Sequence, residues 1–287
     1  MSEPLPPAMF LTDGHGFVGT ALARGPWDEG AAHGGPVAAL IGRAVERYDP
    51  DPTLVTVRYT IELLRPVPLA GIVVRTTTVR PGRRVRLIGV SIDDRAGTEV
   101  ARATVLQVRA ADDGAPVAVH DGPPTFPPPE AAPAAIGLAP DRIGITSAVE
   151  LRSAVGSAVE PGPATYWFRV HAPLVDDEPI TPRTRALIAA DFGNGIASET
   201  SILTHVFINP DLTVHLHRLP TGEWVANDAR TWLVPGGAAR AEATLYDADG
   251  PIGSATQHLY VAARGAVAGG CVTASCDSAP RERPWSP

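Results

Sequence analysis

The chain reads as an α+β protein built from two tandem units, each a curled antiparallel sheet around one long helix. Three observations predict it. A strong helix pattern is followed by four strand-like runs with turn signals between them; that order recurs in the second half; and a Pro-, Ala- and Gly-rich stretch lies between the two. The expected boundaries are 1–110 for the first unit, 111–145 for a linker, 146–264 for the second unit and 265–287 for a disordered tail.

Residues 1–30 hold short apolar pieces broken by Gly and Pro, which suit an entry strand and loops. From Pro36 the pattern is helical. Pro fits the first turn, where no amide donor is missed, and Val37, Leu40, Ile41, Ala44 and Val45 share one face. Strand-like runs follow at Leu54–Leu64, Gly71–Val79, Arg83–Asp93 and Thr98–Arg109, each rich in Val, Ile, Leu or Thr. Gly114 to Pro140, centred on Pro127-Pro128-Pro129, reads as a semi-rigid extended linker.

Two further strands are expected at Ala148–Val155 and Ala164–Ala172. A helix then begins, capped by Thr181 and opened by Pro182, with an Ala/Leu/Ile body that favours burial. Gly193-Asn194-Gly195 stops it. Strands at Phe207–Arg218, Glu223–Leu233, Ala239–Tyr246 and Ile252–Ala262 complete the second unit.

The duplication has a register. At a constant offset Thr60, Leu63 and Arg65 fall opposite Thr213, Leu216 and Arg218; Gly97, Leu106 and Val108 fall opposite Gly250, Leu259 and Val261. The same register sets Thr56 against Asn209 and Thr104 against Gln257. Two copies in one chain suit a pseudo-dimer.

Composition narrows the function. The chain has 287 residues, 44% of them hydrophobic and 19% charged, so it has the means to build real cores. A net charge of -7 without a basic run argues against a nucleic-acid binder, although all 24 cations are Arg. The N-terminus lacks the form of a signal peptide and no apolar run approaches a membrane span. The expectation is a soluble cytoplasmic protein with no membrane partner. Cys271 and Cys276 match no metal or redox spacing.

Gly14-His15-Gly16-Phe17-Val18-Gly19 has the letters of a dinucleotide fingerprint but no parallel βαβ context, so it reads as a Gly-rich turn. His215 and His217 alternate on one strand and share a face, yet spacing supplies no third ligand; no metal is expected. Asp191 closes the second helix. A carboxylate there opposes the helix dipole close to a core, so it is either a helix-end cap or a group with a use. Asn209 and Gln257 are either ordinary strand polar residues or its partners. A carboxylate with an amide beside it can bind, orient and deprotonate a water. Gly34-Gly35, at the start of the first helix, is either a tight turn or a pair of bare amide donors suited to a carbonyl oxygen that gains charge.

On these residues the sequence resembles the double hotdog acyl-CoA thioesterases, the type II acyl-CoA thioesterase-like family. That family opens its first helix with an aromatic-Gly-Gly-Gln pattern; here it is His33-Gly34-Gly35-Pro36. Asp191, Asn209 and Gln257 look like the occupants of its Asp, Thr or Ser, and Gln places. Asp211–Arg218 resembles its Asp…His-Arg strand and Glu223-Trp224 the aromatic that follows. Two departures stand out: Asn209 replaces a hydroxyl and Pro36 replaces a Gln.

The resemblance implies a double hotdog hydrolase of acyl-CoA, with Asp191, Asn209 and Gln257 catalytic. Gly34, Gly35 and His33 would then form the oxyanion or substrate-binding group. It implies an apolar channel for the acyl chain between helix and sheet, no cofactor, and assembly with further copies. One rival is a hotdog acyl-CoA hydratase or dehydratase, which would want an Asp/His pair at Asp191. The other is a non-catalytic acyl-CoA-binding module.

Overall fold

The computed structural model describes residues 4–110, 122–135 and 143–264. Helix α1 spans Gly34–Arg47, two residues more at its start than the pattern from Pro36 predicts, with His33 in extended backbone at the N-cap position. The hairpin β1 (Phe10–Thr12) and β2 (Phe17–Gly19) precedes it, and Gly14 takes φ +80 in the turn. The Gly14–Gly19 stretch is therefore a Gly-rich turn only over its first three residues, and Phe17–Gly19 is strand β2. Four strands follow: β3 (Leu54–Leu63), β4 (Ile72–Arg80), β5 (Val85–Asp94) and β6 (Glu99–Arg109).

The second half contains β7 (Val149–Val155), β8 (Ala164–Val170), α2 (Pro182–Ala190) and a single helical turn α3 (Gly193–Ile196). Then come β9 (His205–Ile208), β10 (Asp211–Leu216), β11 (Trp224–Leu233), β12 (Ala238–Asp247) and β13 (Gly250–Ala263). Two local expectations are corrected. Gly193-Asn194-Gly195 does not end the helical path but forms α3. The strand expected over Phe207–Arg218 breaks at Asn209-Pro210, where Pro has no amide for the ladder.

All strands join one antiparallel sheet in the order β1-β2-β4-β5-β6-β3-β10-β13-β12-β11-β8-β7, with β9 also on β13. The order reads alike from both ends, so the duplication is visible in the topology. Its centre is the β3–β10 pair, where Thr60 and Thr213 are direct partners. These are the residues that the sequence register matches, which puts a pseudo-twofold axis between them. The match of Thr104 with Gln257 fails: Thr104 is exposed and Gln257 is buried. A one-residue slip is enough, because strand side chains alternate between faces.

One core runs through both halves. It includes Leu40 and Ile41 of α1, Leu187 and Ile188 of α2, Tyr59 and Ile88 of the first half, and Phe168 and Leu245 of the second. The helices approach closely at Gly42, where a Cβ would lie 2.5 Å from Leu187 Cδ1. Part of the expected linker is docked rather than extended. Trp167 Nε1 donates to the Pro127 carbonyl (2.8 Å), and Phe126 packs against Trp167 and Tyr246. The expected tail 265–287, with Cys271 and Cys276, lies outside the described residues.

Candidate active site

Helix α2 begins as its sequence dictates: the Thr181 hydroxyl accepts from the Thr184 amide (3.1 Å), and Pro182 takes the first turn. It ends at Asp191, which is the C-cap and is 6% exposed. The end of its own helix disfavours a carboxylate. The tertiary structure compensates by setting Asp191 against the N-terminus of α1, the positive end of the other helix. A Cβ on Gly34 would lie 2.7 Å from both carboxylate oxygens, so only Gly admits this approach.

The carboxylate gathers the predicted residues. Asn209 Nδ2 donates to Oδ1 (2.8 Å), and Gln257 Nε2 reaches the same oxygen at 3.5 Å. His33 Nδ1 lies 2.9 Å from Oδ2. The Gln257 amide has a defined orientation, because its Oε1 accepts from the Asn194 backbone amide (2.9 Å), leaving Nε2 for Asp191. All six residues expected at the site therefore meet: Asp191, Asn209 and Gln257 from the second half, and His33, Gly34 and Gly35 from the first.

Local structure explains why the two amides point inward. On β13 the buried row is Ala255, Gln257, Leu259 and Val261, so Gln257 stands in an apolar phase. Asn209 keeps the inward phase of Phe207, two residues before it on the β9 path. Phe207 and Leu212 are both buried, five residues apart, which an unbroken strand would put on opposite faces. The irregularity at Asn209-Pro210 restores the buried phase for β10, leaving Asn209 directed at Asp191.

His33 packs against Phe192 (ring centroids 4.8 Å apart, 28° between planes), and Phe192 packs in turn on Phe168. Its Nδ1 also lies 3.1 Å from the Gly35 amide. The sequence reading missed Phe192, Asn194, Asn227 and Thr231. Asn227 is fully buried and donates to the Ala189 carbonyl (2.8 Å), while Asn194 Oδ1 is 3.4 Å from Thr231 Oγ1. A signal for two of them was present: Asn227 and Thr231 alternate with apolar Val225 and Ala229 on β11.

The equivalent place near the start of α2 is built differently. Pro182 offers no amide there, and Arg183 fills the space, bonding to Glu46 (2.7 Å) and to the Tyr59 hydroxyl. Burial pushes the Tyr59 phenol up, against the pull of Arg183, so it stays a neutral partner. Chemistry-bearing groups thus converge at one end of the helix pair.

His215 is exposed, and His217 Nε2 donates to the Pro251 carbonyl (2.8 Å). Both line an outer-face concavity of about 410 Å³ with Thr244 and Ser254, on the other side of the sheet from Gln257. Arg152 and Arg169 each lie 5.2 Å from the centre of the Trp224 ring. Among the described residues no group of three or more His, Cys, Asp or Glu is placed to hold a metal ion, and no helix is long and apolar enough to cross a membrane.

Solved structures share this architecture. A putative thioesterase from Novosphingobium aromaticivorans is 20% identical, covering 88% of this chain and 98% of its own, with a TM-score of 0.68. A hot dog fold protein from Alicyclobacillus acidocaldarius is 19% identical over 88% and 95%, with a TM-score of 0.68. A putative thioesterase II from Thermobifida fusca is 16% identical over 89% and 96%, with a TM-score of 0.69. The fold is the hotdog fold. A comparison with curated proteins finds no match.

The family is set by sequence. The acyl-CoA thioesterase N-terminal domain matches residues 23–108, and the acyl-CoA thioesterase C-terminal domain matches residues 120–261. The chain belongs to the acyl-CoA thioesterase family, and is therefore a thioester hydrolase.

Proposed function

We propose that the chain is a double hotdog, with units at 1–110 and 146–264, that hydrolyses acyl-CoA to the free acid and CoA with a water activated by Asp191. The observation that carries this reading is one buried carboxylate that meets two amide side chains and the N-terminus of α1. Asn209 and Gln257 hold the carboxylate, and Asn209 does with its Nδ2 what a hydroxyl would do as a donor. Asp191 takes a proton from water while the water oxygen bonds to the carbonyl carbon. The carbonyl π electrons move to oxygen, facing the Gly35 amide. The C–S bond then breaks and the thiolate takes up a proton. The acyl chain would run between helix and sheet with CoA at the rim.

A second reading has its own observation. His33 at 2.9 Å from Asp191 is the Asp/His pair that an acyl-CoA hydratase or dehydratase wants. One experiment separates the readings. Free thiol released from short to long acyl-CoAs is followed for wild type and Asp191→Ala, with enoyl-CoA hydration measured in parallel. The expected result is thiol release that falls at least ~100-fold in the variant, the scale of a lost general base. Undiminished release would move the centre elsewhere. Hydration without thiol release would establish the hydratase, and binding without turnover a carrier module.

A further inference from the structure

We propose that His33 is a positioning residue: its Nδ1 proton, held there by Asp191, keeps the Gly35 amide free for the thioester carbonyl. The inference rests on the reading of Asp191 as the base. Two groups compete for one nitrogen, since Nδ1 is 3.1 Å from Gly35 N and 2.9 Å from Asp191 Oδ2. An imidazole nitrogen carries either a lone pair or a proton, so it cannot serve both. With a lone pair, Nδ1 caps the Gly35 amide and faces the carboxylate acceptor to acceptor. With a proton, it donates to the carboxylate and the Gly35 amide loses its acceptor.

The carboxylate decides between these states. Two bare acceptors 2.9 Å apart repel, whereas N–H···O⁻ at that distance is a charge-assisted bond. The side chains are 15% and 2% exposed, so water competes poorly for either partner. The ring cannot easily turn away, because it stacks on Phe192. The Gly35 amide, still 3.1 Å from Nδ1 but without an acceptor there, lies at the N-terminus of α1, where a carbonyl oxygen that reaches it beside the ring has its negative charge stabilised. In turnover the Nδ1 proton stays in place. The proton that Asp191 takes from water is the one that ends on the sulfur, and the electron pair of the broken C–S bond accepts it.

The first test needs no turnover. Correlation spectra of ¹⁵N-labelled protein, with the His33 signal assigned from its loss in His33→Asn, report which nitrogen carries the proton. The expected result is Nδ1–H in wild type and a shift to Nε2–H in Asp191→Ala, where Nδ1 returns to capping Gly35. A wild-type ring protonated only at Nε2 overturns the proposal, whatever becomes of Asp191 as base.

The second test is an inverted order of variants. Asn is among the best N-cap residues and Ala among the poorest, so a merely structural His33 predicts that His33→Asn is the milder change. Here the Asn oxygen would cap the Gly35 amide permanently, while Ala leaves it free. The expected outcome is a kcat loss of about 100-fold in His33→Asn, the scale of one lost oxyanion donor, at little-changed KM. His33→Ala should lose less. A His33→Asn enzyme equal to or faster than His33→Ala overturns the proposal. Undiminished hydrolysis by Asp191→Ala would instead remove the base reading and leave the tautomer result standing.

Discussion

At Gly34 a Cβ atom would meet both oxygens of the Asp191 carboxylate at 2.7 Å, and their carbon at 2.9 Å. The helix conformation would accept Ala without strain; the carboxylate would not. Gly34→Ala should therefore leave the helix intact and displace Asp191 from Asn209 and Gln257. The expected outcome is a fall of about 100-fold in kcat/KM for acyl-CoA, as for a catalytic group moved by about 1 Å, with secondary structure unchanged by circular dichroism. Near-wild-type turnover would mean that the carboxylate works from another position. Pro36 belongs to the same turn: where the resembled family has Gln, this chain has a residue with no amide proton and no polar side chain.

Strands β10, β12 and β13 are tied together at their ends by one ion pair. Arg218, just past β10, grips the fully buried Asp247 with both of its terminal nitrogens and also reaches the Gly250 carbonyl (3.0 Å). Burial pushes the Asp247 carboxyl up, but the Arg218 bonds and the Thr221 and Asp249 amides outweigh it and hold it at about 2. The folded value lies below the ordinary 3.8, so the stabilisation is complete above that value and disappears as the pH falls toward about 2. The shift corresponds to about 2 kcal/mol. Denaturant unfolding at about pH 5 and about pH 2 should show wild type losing about 2 kcal/mol more than Asp247→Asn. Equal losses would show that the pair gives no such linkage. Arg218 ends the stretch that resembles the family's Asp…His-Arg strand, and its place in the structure is architectural.

In the whole molecule, the two halves share a sheet, a core and the site. β3 pairs with β10, α1 packs on α2, and one cluster of buried side chains includes residues from both halves. Neither half has an alternative cover for its helix. Thermal unfolding should therefore be one cooperative transition for the full chain, with calorimetric and van't Hoff enthalpies in agreement. Two separated transitions would show that the halves are independent domains. The symmetry is broken chemically: the Gly34-Gly35 end of the helix pair receives Asp191, and the other end is closed by Arg183, Glu46 and Tyr59.

Much of this was legible from local pattern. Period and turn residues located both long helices and the strands of both units, since each depends on neighbours within a few residues. Asp191 could be suspected because a carboxylate at the end of an apolar helix conflicts with its surroundings, Gly34-Gly35 because bare amides open a helix, and Asn209 and Gln257 because the resemblance places them beside the carboxylate. Other features needed the fold. The strand break at Asn209-Pro210, the failed match of Thr104 with Gln257, and the roles of Asn194 and Phe192 depend on register and packing between distant segments. So does the meeting of Asp191 with His33 and Gly34. A window of sequence records which face a residue prefers, but only the antiparallel packing of α1 on α2 decides which helix end that face meets.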